Sequence, residues 1–219
     1  PFTAKAQDKV EASVGADFVS NYIWRGTDCG GVSIQPSMGV SYKGLSLTAW
    51  GSVGIDKEDA REIDLTLGYN TGGFSVSVTD YWFSYHKEDG GYTGDYFKYG
   101  AHSTVHIFEA TLGYDFGPLA LSWNTYFAGD DYTKENGDRA YSTYVGISAP
   151  FKLGGLDWSA EVGLTPWEGA YANKFNVTNL TLKAEKEIKF TNSFSLPTFA
   201  QVTFNPHTQG AYFVFGVSF

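Results

Sequence analysis

The chain has 219 residues, 17% of them aromatic and only 18% charged, with 26 glycines, one cysteine and a net charge of −9. The acidic balance argues against nucleic-acid binding, which needs a basic surface, and Cys29 alone cannot form an internal disulfide. No run of 18 apolar residues exists, which excludes a membrane-spanning helix. The composition favours pleated strands joined by glycine-rich turns, so we predict an all-β protein.

The first residues contain the small-x-small spacing of a signal-peptidase site, between Thr3 and Gln7. Residues 1–6 are therefore expected to be either the tail of an export signal or a disordered polar start. We assign residues 1–8 to an N-terminal segment and residues 9–219 to a single barrel domain.

Apolar and polar residues alternate in twelve successive segments. The first runs from Lys9 to Trp24, with Val10, Val14 and Phe18 on one face. The others lie at about 32–42, 45–53, 62–69, 74–79, 108–114, 119–127, 141–147, 156–164, 180–184, 196–204 and 210–219. The segment around 180–184 is the least regular, because residues 176–179 break the alternation. Segments of this length, divided by turn signals, predict a transmembrane antiparallel up-and-down β-barrel of twelve strands.

The connections between these segments alternate in length. Short glycine-rich links such as Lys43-Gly44 and 71–73 alternate with longer polar links, the longest of which runs through 86–97. Short turns at one end and long loops at the other are typical of the periplasmic and extracellular rims of outer-membrane barrels. An even number of strands then predicts that both termini are periplasmic.

The last ten residues, 210–219, place Ala211, Phe213, Phe215, Val217 and Phe219 on one face. This segment resembles the closing strand of bacterial outer-membrane barrels, which typically ends in Phe. The pattern predicts a location in the outer membrane of a Gram-negative bacterium, with the lipid bilayer as partner.

Aromatic residues collect near the predicted strand ends, where lipid headgroups would lie. We expect membrane-interface aromatics at the short-turn ends (Tyr42, Tyr69, Phe74, Tyr114, Phe219) and at the long-loop ends (Tyr22, Trp24, Trp82, Phe127, Phe204). The alternative is that any all-β protein scatters aromatic residues through its strands. Asp80 shares the parity of Val76 and Val78, so it faces the headgroup region unless a bulge turns it inward.

The stretch from Phe18 to Gly26 reads F-V-S-N-Y-I-W-R-G. It resembles the opening strand of the TorF-like porin family, which typically reads V-S-x-Y-x-[FW]-R-G. Further matches are Ser33-Ile34-Gln35-Pro36, Ala49-Trp50-Gly51-Ser52 and the run from Glu62 to Tyr69. These cover roughly the first third of the chain, and later strands match in pattern only. The resemblance implies an outer-membrane barrel and a pore, with no established substrate.

Carboxylates dominate the predicted inner face. The predicted pore-lining residues are Glu11, Asp17, Arg25, Glu62, Asp64, Glu109, Asp157, Glu161, Lys183 and Glu185. Acidic rings concentrate cations, so a cation-preferring channel is one interpretation. The other is a hydrogen-bonded plug in which these groups join Tyr81, Asn124, Tyr126, Tyr144 and Gln201. Twelve strands give a backbone radius of roughly 12 Å and an opening of at most about 10 Å.

The leading hypothesis is a small passive pore for ions or small solutes, with no enzymatic activity, cofactor or metal. The second hypothesis is a closed barrel whose extracellular loops bind a ligand or partner. The third is an outer-membrane lipid hydrolase using Ser103 with His102 or His106. A metal site at His86, His102 and His106 is a further interpretation, and its alternative is that all three are rim histidines at the membrane interface. The oligomeric state stays open.

Overall fold

The computed structural model describes residues 9–87, 91–192 and 194–219. The predicted N-terminal segment 1–8, with its signal remnant at 1–6, lies outside the described residues. Across the described ranges, no helix is long and apolar enough to cross a membrane.

Alternating segments of the chain form strands along almost its whole length. The strands are β1 (Glu11–Val19), β2 (Tyr22–Trp24), β3 (Thr27–Gly30), β4 (Ser33–Tyr42), β5 (Leu45–Gly54), β6 (Arg61–Thr71), β7 (Phe74–Ser84), β8 (Ile107–Asp115), β9 (Ala120–Gly129), β10 (Thr143–Leu153), β11 (Leu156–Thr165), β12 (Asn176–Lys189), β13 (Ser195–Asn205) and β14 (Gly210–Ser218). Twelve of them close into an antiparallel barrel in which β4 to β14 follow chain order and β1 joins β14 to β4. The predicted twelve-stranded up-and-down barrel is confirmed.

The barrel has apolar side chains outside and polar side chains inside. Outward residues such as Val14 and Phe213 are 85% and 69% exposed. Among the described residues, the fully buried side chains are instead polar: Ser33, Ser84, Glu109, Ser142, Thr143, Thr165, Thr178 and Thr203, together with His106, which is buried on the outer face. Since successive residues of a strand face opposite sides, one alternating pattern produces both faces.

The two ends of the barrel differ in their connections. Tight turns join strands at what we call the short-turn end: Lys43-Gly44, Gly72-Gly73, 116–119 and Gly154-Gly155, and β12 also ends and β13 begins at this end. At the opposite, long-loop end the described residues of the connections are 20–32, 55–60, 85–87, 91–106, 130–142, 166–175 and a tight turn at 206–209. Strand β1 begins and β14 ends toward the short-turn end, and the periplasmic placement of both termini stays a prediction.

The first predicted strand, Lys9 to Trp24, needs a correction. The chain leaves the barrel ladder after Val19 and forms a separate hairpin from β2 and β3 before β4 begins. We call this element the inserted hairpin. Its strands pair only with each other, from Tyr22 opposite Gly30 to Trp24 opposite Thr27.

The irregularity at residues 176–179 has a structural cause. The pairing of β11 with β12 shifts between Gly163 and Leu164, so that Thr178 is the extra residue of a β-bulge. A bulge places two consecutive side chains out of alternation. Strand β12 therefore begins at Asn176, before the alternating segment that the sequence shows at about 180–184.

Candidate functional site

The inserted hairpin crosses the inside of the barrel at its long-loop end. The ring of Tyr22 lies 5.5 Å from that of Trp50 on β5, while the carbonyl oxygen of Gly26 accepts a hydrogen bond from Asn205 Nδ2 on β13, at 3.0 Å. Strands β5 and β13 stand on different sides of the barrel, so the hairpin spans the lumen between them. Tyr22 and Trp24 therefore lie in the lumen, which corrects their predicted place at the membrane interface.

The tip of the hairpin sits on the bulge in β12. Gly26 has φ +79°, and a Cβ at this position would overlap the carbonyl oxygen of Thr178. Only glycine combines this backbone conformation with so close an approach. The bulge at Thr178 and the amide of Asn205 together form the seat of the tip.

Arg25, next to that seat, pairs with a buried carboxylate across the lumen. Its Nη1 and Nη2 atoms lie 2.6 and 2.9 Å from the two carboxylate oxygens of Glu109 on β8. Glu109 is only 2% exposed and also accepts a hydrogen bond of 2.9 Å from the Tyr81 hydroxyl. Two parallel hydrogen bonds of this kind fix both the position and the orientation of a guanidinium group.

Aromatic rings surround the same guanidinium. Its central carbon lies 4.2 Å from the ring centroid of Trp24, 4.8 Å from Tyr144 and 5.8 Å from Tyr171. The Tyr171 hydroxyl, from the connection 166–175, accepts from Arg25 Nη1 at 2.6 Å and donates to Tyr126 at 3.1 Å. Burial raises the pKa of Tyr171 to about 12, so its hydroxyl keeps the proton that it donates.

The other predicted lumen residues fall into two groups. Glu62 is only 4% exposed, and Glu161 accepts hydrogen bonds from Tyr144 and Asn179. Asp17 and Asp64 are half-buried, on the inward parity. The remaining four lie toward the short-turn end: Glu11, Asp157, Lys183 and Glu185.

The charges near the short-turn end form exposed local pairs. Lys183 lies 2.6 Å from Glu185, and Asp157 lies 2.7 Å from Lys152. The ten predicted residues thus form no single ring. The Arg25–Glu109 pair spans the upper lumen, and most of the others lie on the wall above or below it.

The inserted hairpin separates two spaces inside the barrel. A mouth cavity of about 600 Å³ lies on the long-loop side of the hairpin. A chamber of about 330 Å³ lies around the hairpin tip and is lined by Ile23, Trp24, Arg25, Gly26, Ser122, Asn124, Tyr144, Glu161, Asn179, Thr181, Gln201 and Thr203.

The sequence alone did not identify Gly26, Tyr171 and Asn205 as parts of this site. Tyr171 and Asn205 come from a connection and a strand end that lack a motif, and the motif that contains Gly26 was assigned to a barrel strand. One signal was available, since the predicted segment from Lys9 to Trp24 is longer than the roughly 9–11 residues that a spanning strand needs. The excess length corresponds to the chain that forms the hairpin.

The outer face carries a second buried pair, between Asp80 and His106. The pairing of β6 with β7 continues through Asp80 without a bulge, so Asp80 faces outward. Its Oδ1 lies 2.6 Å from His106 Nδ1, and His106 Nε2 lies 2.7 Å from the Tyr96 carbonyl oxygen. A carbonyl oxygen can only accept, so the contact with Tyr96 is a hydrogen bond that Nε2–H donates.

Residues 91–105 cover this pair, and we call them the covering segment. Tyr96 packs edge-on against Trp82 at 5.3 Å and against His106 at 5.4 Å. Trp82 faces outward, as its parity predicts, and Tyr96 of the covering segment packs against its ring. The other predicted interface aromatics, Tyr42, Tyr69, Phe74, Tyr114, Phe127, Phe204 and Phe219, are exposed.

The residues considered for catalysis and metal binding have other contacts. Ser103 Oγ donates to the carbonyl oxygen of Gly100 at 3.3 Å, and both ring nitrogens of His106 are engaged by Asp80 and Tyr96. Among the described residues, no group of three or more His, Cys, Asp and Glu side chains is placed to hold a metal ion.

The fold and the lumen together define a twelve-stranded β-barrel with an internal hairpin. No protein-family model matches the chain, and no curated protein matches it. Among solved structures, the chain is similar to the crystal structure of BamA from Haemophilus ducreyi lacking POTRA domains 1–3, with a TM-score of 0.41 and 11% identity. The match covers 88% of this chain and 41% of that one, so the chain spans less than half of that protein's length.

Proposed function

We propose that this protein is an outer-membrane β-barrel that forms a small, cation-preferring pore, and that the inserted hairpin holds the pore closed in the conformation described above. The membrane location is supported by the outer face, where Val14, Leu67 and Phe213 are among the exposed apolar side chains. A continuous apolar band is unfavourable in water, and it is the expected surface of a barrel in lipid. The resemblance of Val19–Gly26 to the TorF-like porins agrees with this proposal.

The cation preference is supported by the balance of charge on the inner face. Asp17 and Glu161 face the lumen without a Lys or Arg partner among the described ion pairs, and Arg25 is neutralised by Glu109. Unneutralised carboxylates along a narrow polar passage raise the local concentration of cations and disfavour anions.

One observation supports the proposal that the inserted hairpin holds the pore closed: the hairpin is not part of the barrel ladder. Strands β2 and β3 pair only with each other. Side-chain contacts, above all the Arg25–Glu109 pair and the seat of Gly26, hold the hairpin in the lumen. An element attached in this way can leave the lumen while all twelve barrel strands stay paired.

Planar-bilayer recording tests this proposal. We expect small or rare conductance from the wild-type protein. A variant in which residues 21–31 are replaced by a short Asn-Gly turn should conduct steadily, with a reversal potential in a salt gradient that indicates cation preference. The proposal is overturned if this variant forms a folded barrel, as judged by circular dichroism and heat-dependent gel migration, and does not conduct or prefers anions.

The membrane location has its own test. Cell fractionation should recover the protein with the outer membrane, and extraction should require detergent. Recovery in the soluble fraction would contradict the location regardless of the conductance result.

A closed barrel that binds a ligand at its long-loop end is the second candidate. The observation that favours it is the mouth cavity above the inserted hairpin.

A further inference from the structure

The mouth cavity combines aromatic rings with carboxylates. It is bounded below by the inserted hairpin and at the sides by the ends of β6 to β9 and the connections between strands. Six aromatic side chains line it: Tyr22, Trp24, Phe83, Tyr85, Tyr126 and Tyr171. Five carboxylates line it as well: Asp28, Glu58, Asp59, Glu62 and Asp130.

Basic groups are missing from this lining. Among the described residues that line the cavity, none is Lys, Arg or His. Arg25 touches Trp24 and Tyr171, but its charge is neutralised by Glu109. Arg61 lies over the ring of Tyr92, at 3.8 Å. The carboxylates of the cavity therefore keep an uncompensated negative potential.

The rings and the deepest carboxylate are held in place before any ligand arrives. Tyr22 is positioned by its ring contact with Trp50 at 5.5 Å, and Glu62 is only 4% exposed. Trp24 lies against Tyr81 and Tyr171, at 5.7 and 6.2 Å between ring centroids. A site of this kind loses little conformational entropy on binding.

We propose that the mouth cavity binds a small organic cation, an ammonium group carried on an apolar body. Aromatic faces attract a cation through their quadrupole, and the carboxylates at the rim of the cavity attract it directly. The apolar walls bury the remainder of the ligand, and a volume of about 600 Å³ is within the range of small-molecule sites. An anion meets only repulsion in this cavity, and a neutral molecule gains only the apolar contact.

Three probes of nearly equal size and different charge test the proposal. They are 2-phenylethylammonium, 2-phenylethanol and phenylacetate, titrated into the purified full-length barrel in detergent. Binding is measured by isothermal calorimetry and by the fluorescence of Trp24 and the other tryptophans. We expect the ammonium compound to bind at least about tenfold more tightly than the alcohol, and phenylacetate not to bind.

Variants then locate the binding in this cavity. Asp28→Asn, Glu58→Gln and Asp130→Asn, combined in one protein, remove three exposed carboxylates of the rim. The affinity for 2-phenylethylammonium should fall about tenfold, while the affinity for 2-phenylethanol stays unchanged. A matched control removes three exposed carboxylates of the same end that do not line the cavity, by Asp56→Asn, Glu135→Gln and Asp138→Asn, and should bind as the wild type does.

A separate variant tests how much the aromatic side chains contribute to ligand binding. Tyr85 is exposed and lines the cavity, so Tyr85→Ala should weaken the binding of both the ammonium compound and the alcohol without unfolding the barrel.

Three results would each overturn the proposal. They are the absence of binding by 2-phenylethylammonium at millimolar concentration, equal binding of the ammonium compound and the alcohol, and an equal loss of affinity in the cavity and control variants. None of these measurements depends on conductance, so this proposal can fail while the pore proposal stands, and the reverse.

Discussion

Asp80 and Tyr81 are neighbours in β7, yet they belong to buried networks on opposite faces of the barrel wall. Asp80 faces outward and pairs with His106 beneath the covering segment 91–105. Tyr81 faces inward and donates to Glu109, which holds Arg25 of the inserted hairpin. In both networks, a segment outside the barrel ladder removes the charged groups from solvent.

The two networks differ in how far apart their members lie in the sequence. Asp80 and His106 are 26 residues apart, and the connection between β7 and β8 supplies both His106 and its cover. Arg25 lies 84 residues from Glu109 and 146 from Tyr171. The outer network can therefore form with a single strand pair, whereas the lumen network requires a nearly closed barrel.

The largest effect is expected from Glu109→Ala. The change leaves the guanidinium of Arg25 buried without its carboxylate, which costs about 3–5 kcal/mol, and should release the inserted hairpin. Conductance in bilayers should rise, and trypsin should cut after Arg25. The comparison variant is Asp157→Ala, which breaks an exposed pair with Lys152. It should change neither the conductance nor the cleavage by trypsin after Arg25. Unchanged protease resistance at Arg25 would contradict the role of the buried pair.

A smaller effect is expected from Gly26→Val, because the new side chain would overlap the carbonyl of Thr178 at a positive φ. The strained backbone alone costs about 1–3 kcal/mol, and the overlap should lift the hairpin tip from its seat. Hydrogen exchange of residues 22–30 would report this loosening.

Gly137→Val is the control for a valine placed at a positive φ outside the inserted hairpin. Gly137 has a comparable φ of +86°, and a Cβ there would have nothing within 4 Å. This variant should leave hydrogen exchange in the hairpin unchanged. Equal exchange in the two variants would show that close approach to Thr178 is unimportant.

His106→Ala should affect only the outer network. The change leaves Asp80 without its partner at a cost of about 1–3 kcal/mol, so the covering segment should become sensitive to protease. Conductance should stay at the wild-type value, because the lumen network does not include His106. His102→Ala, at an exposed position of the same segment, serves as the control. A change in conductance in His106→Ala would show that the two networks are coupled through β7.

The smallest effect concerns the reactivity of Cys29 in the inserted hairpin. Burial, together with the negative charges of Glu62 and Asp28, raises the pKa of its thiol to about 12. Because the thiolate is the reactive form, alkylation by iodoacetamide at pH 8 should be roughly tenfold or more slower than for an exposed cysteine, and it should accelerate as the pH rises. Glu109→Ala should raise the rate at pH 8 by releasing the hairpin. A fast reaction in the wild type would contradict the buried position of the thiol.

The alternation of residues was enough to predict the barrel and the face on which most strand residues lie. It predicted the strand that carries Glu109 and the outward parity of Asp80, because a strand with one lipid-type face and one polar face repeats every two residues. It failed at Tyr22 and Trp24, whose alternation continues that of β1 although the chain has already left the ladder. Local pattern cannot distinguish a strand that continues from one that turns inward, since both are extended and amphipathic.

The sequence by itself determined the number of barrel strands, the polar inner wall and the apolar outer wall, because these depend on short-range periodicity. Only the tertiary structure decided what occupies the lumen and what covers Asp80. The partner of Arg25, the seat of Gly26 and the aromatic walls of the mouth cavity come from strands on different sides of the barrel. These residues come into contact only when the barrel closes and the bulge at Thr178 forms. Long-range packing of this kind produces no periodic pattern in the sequence.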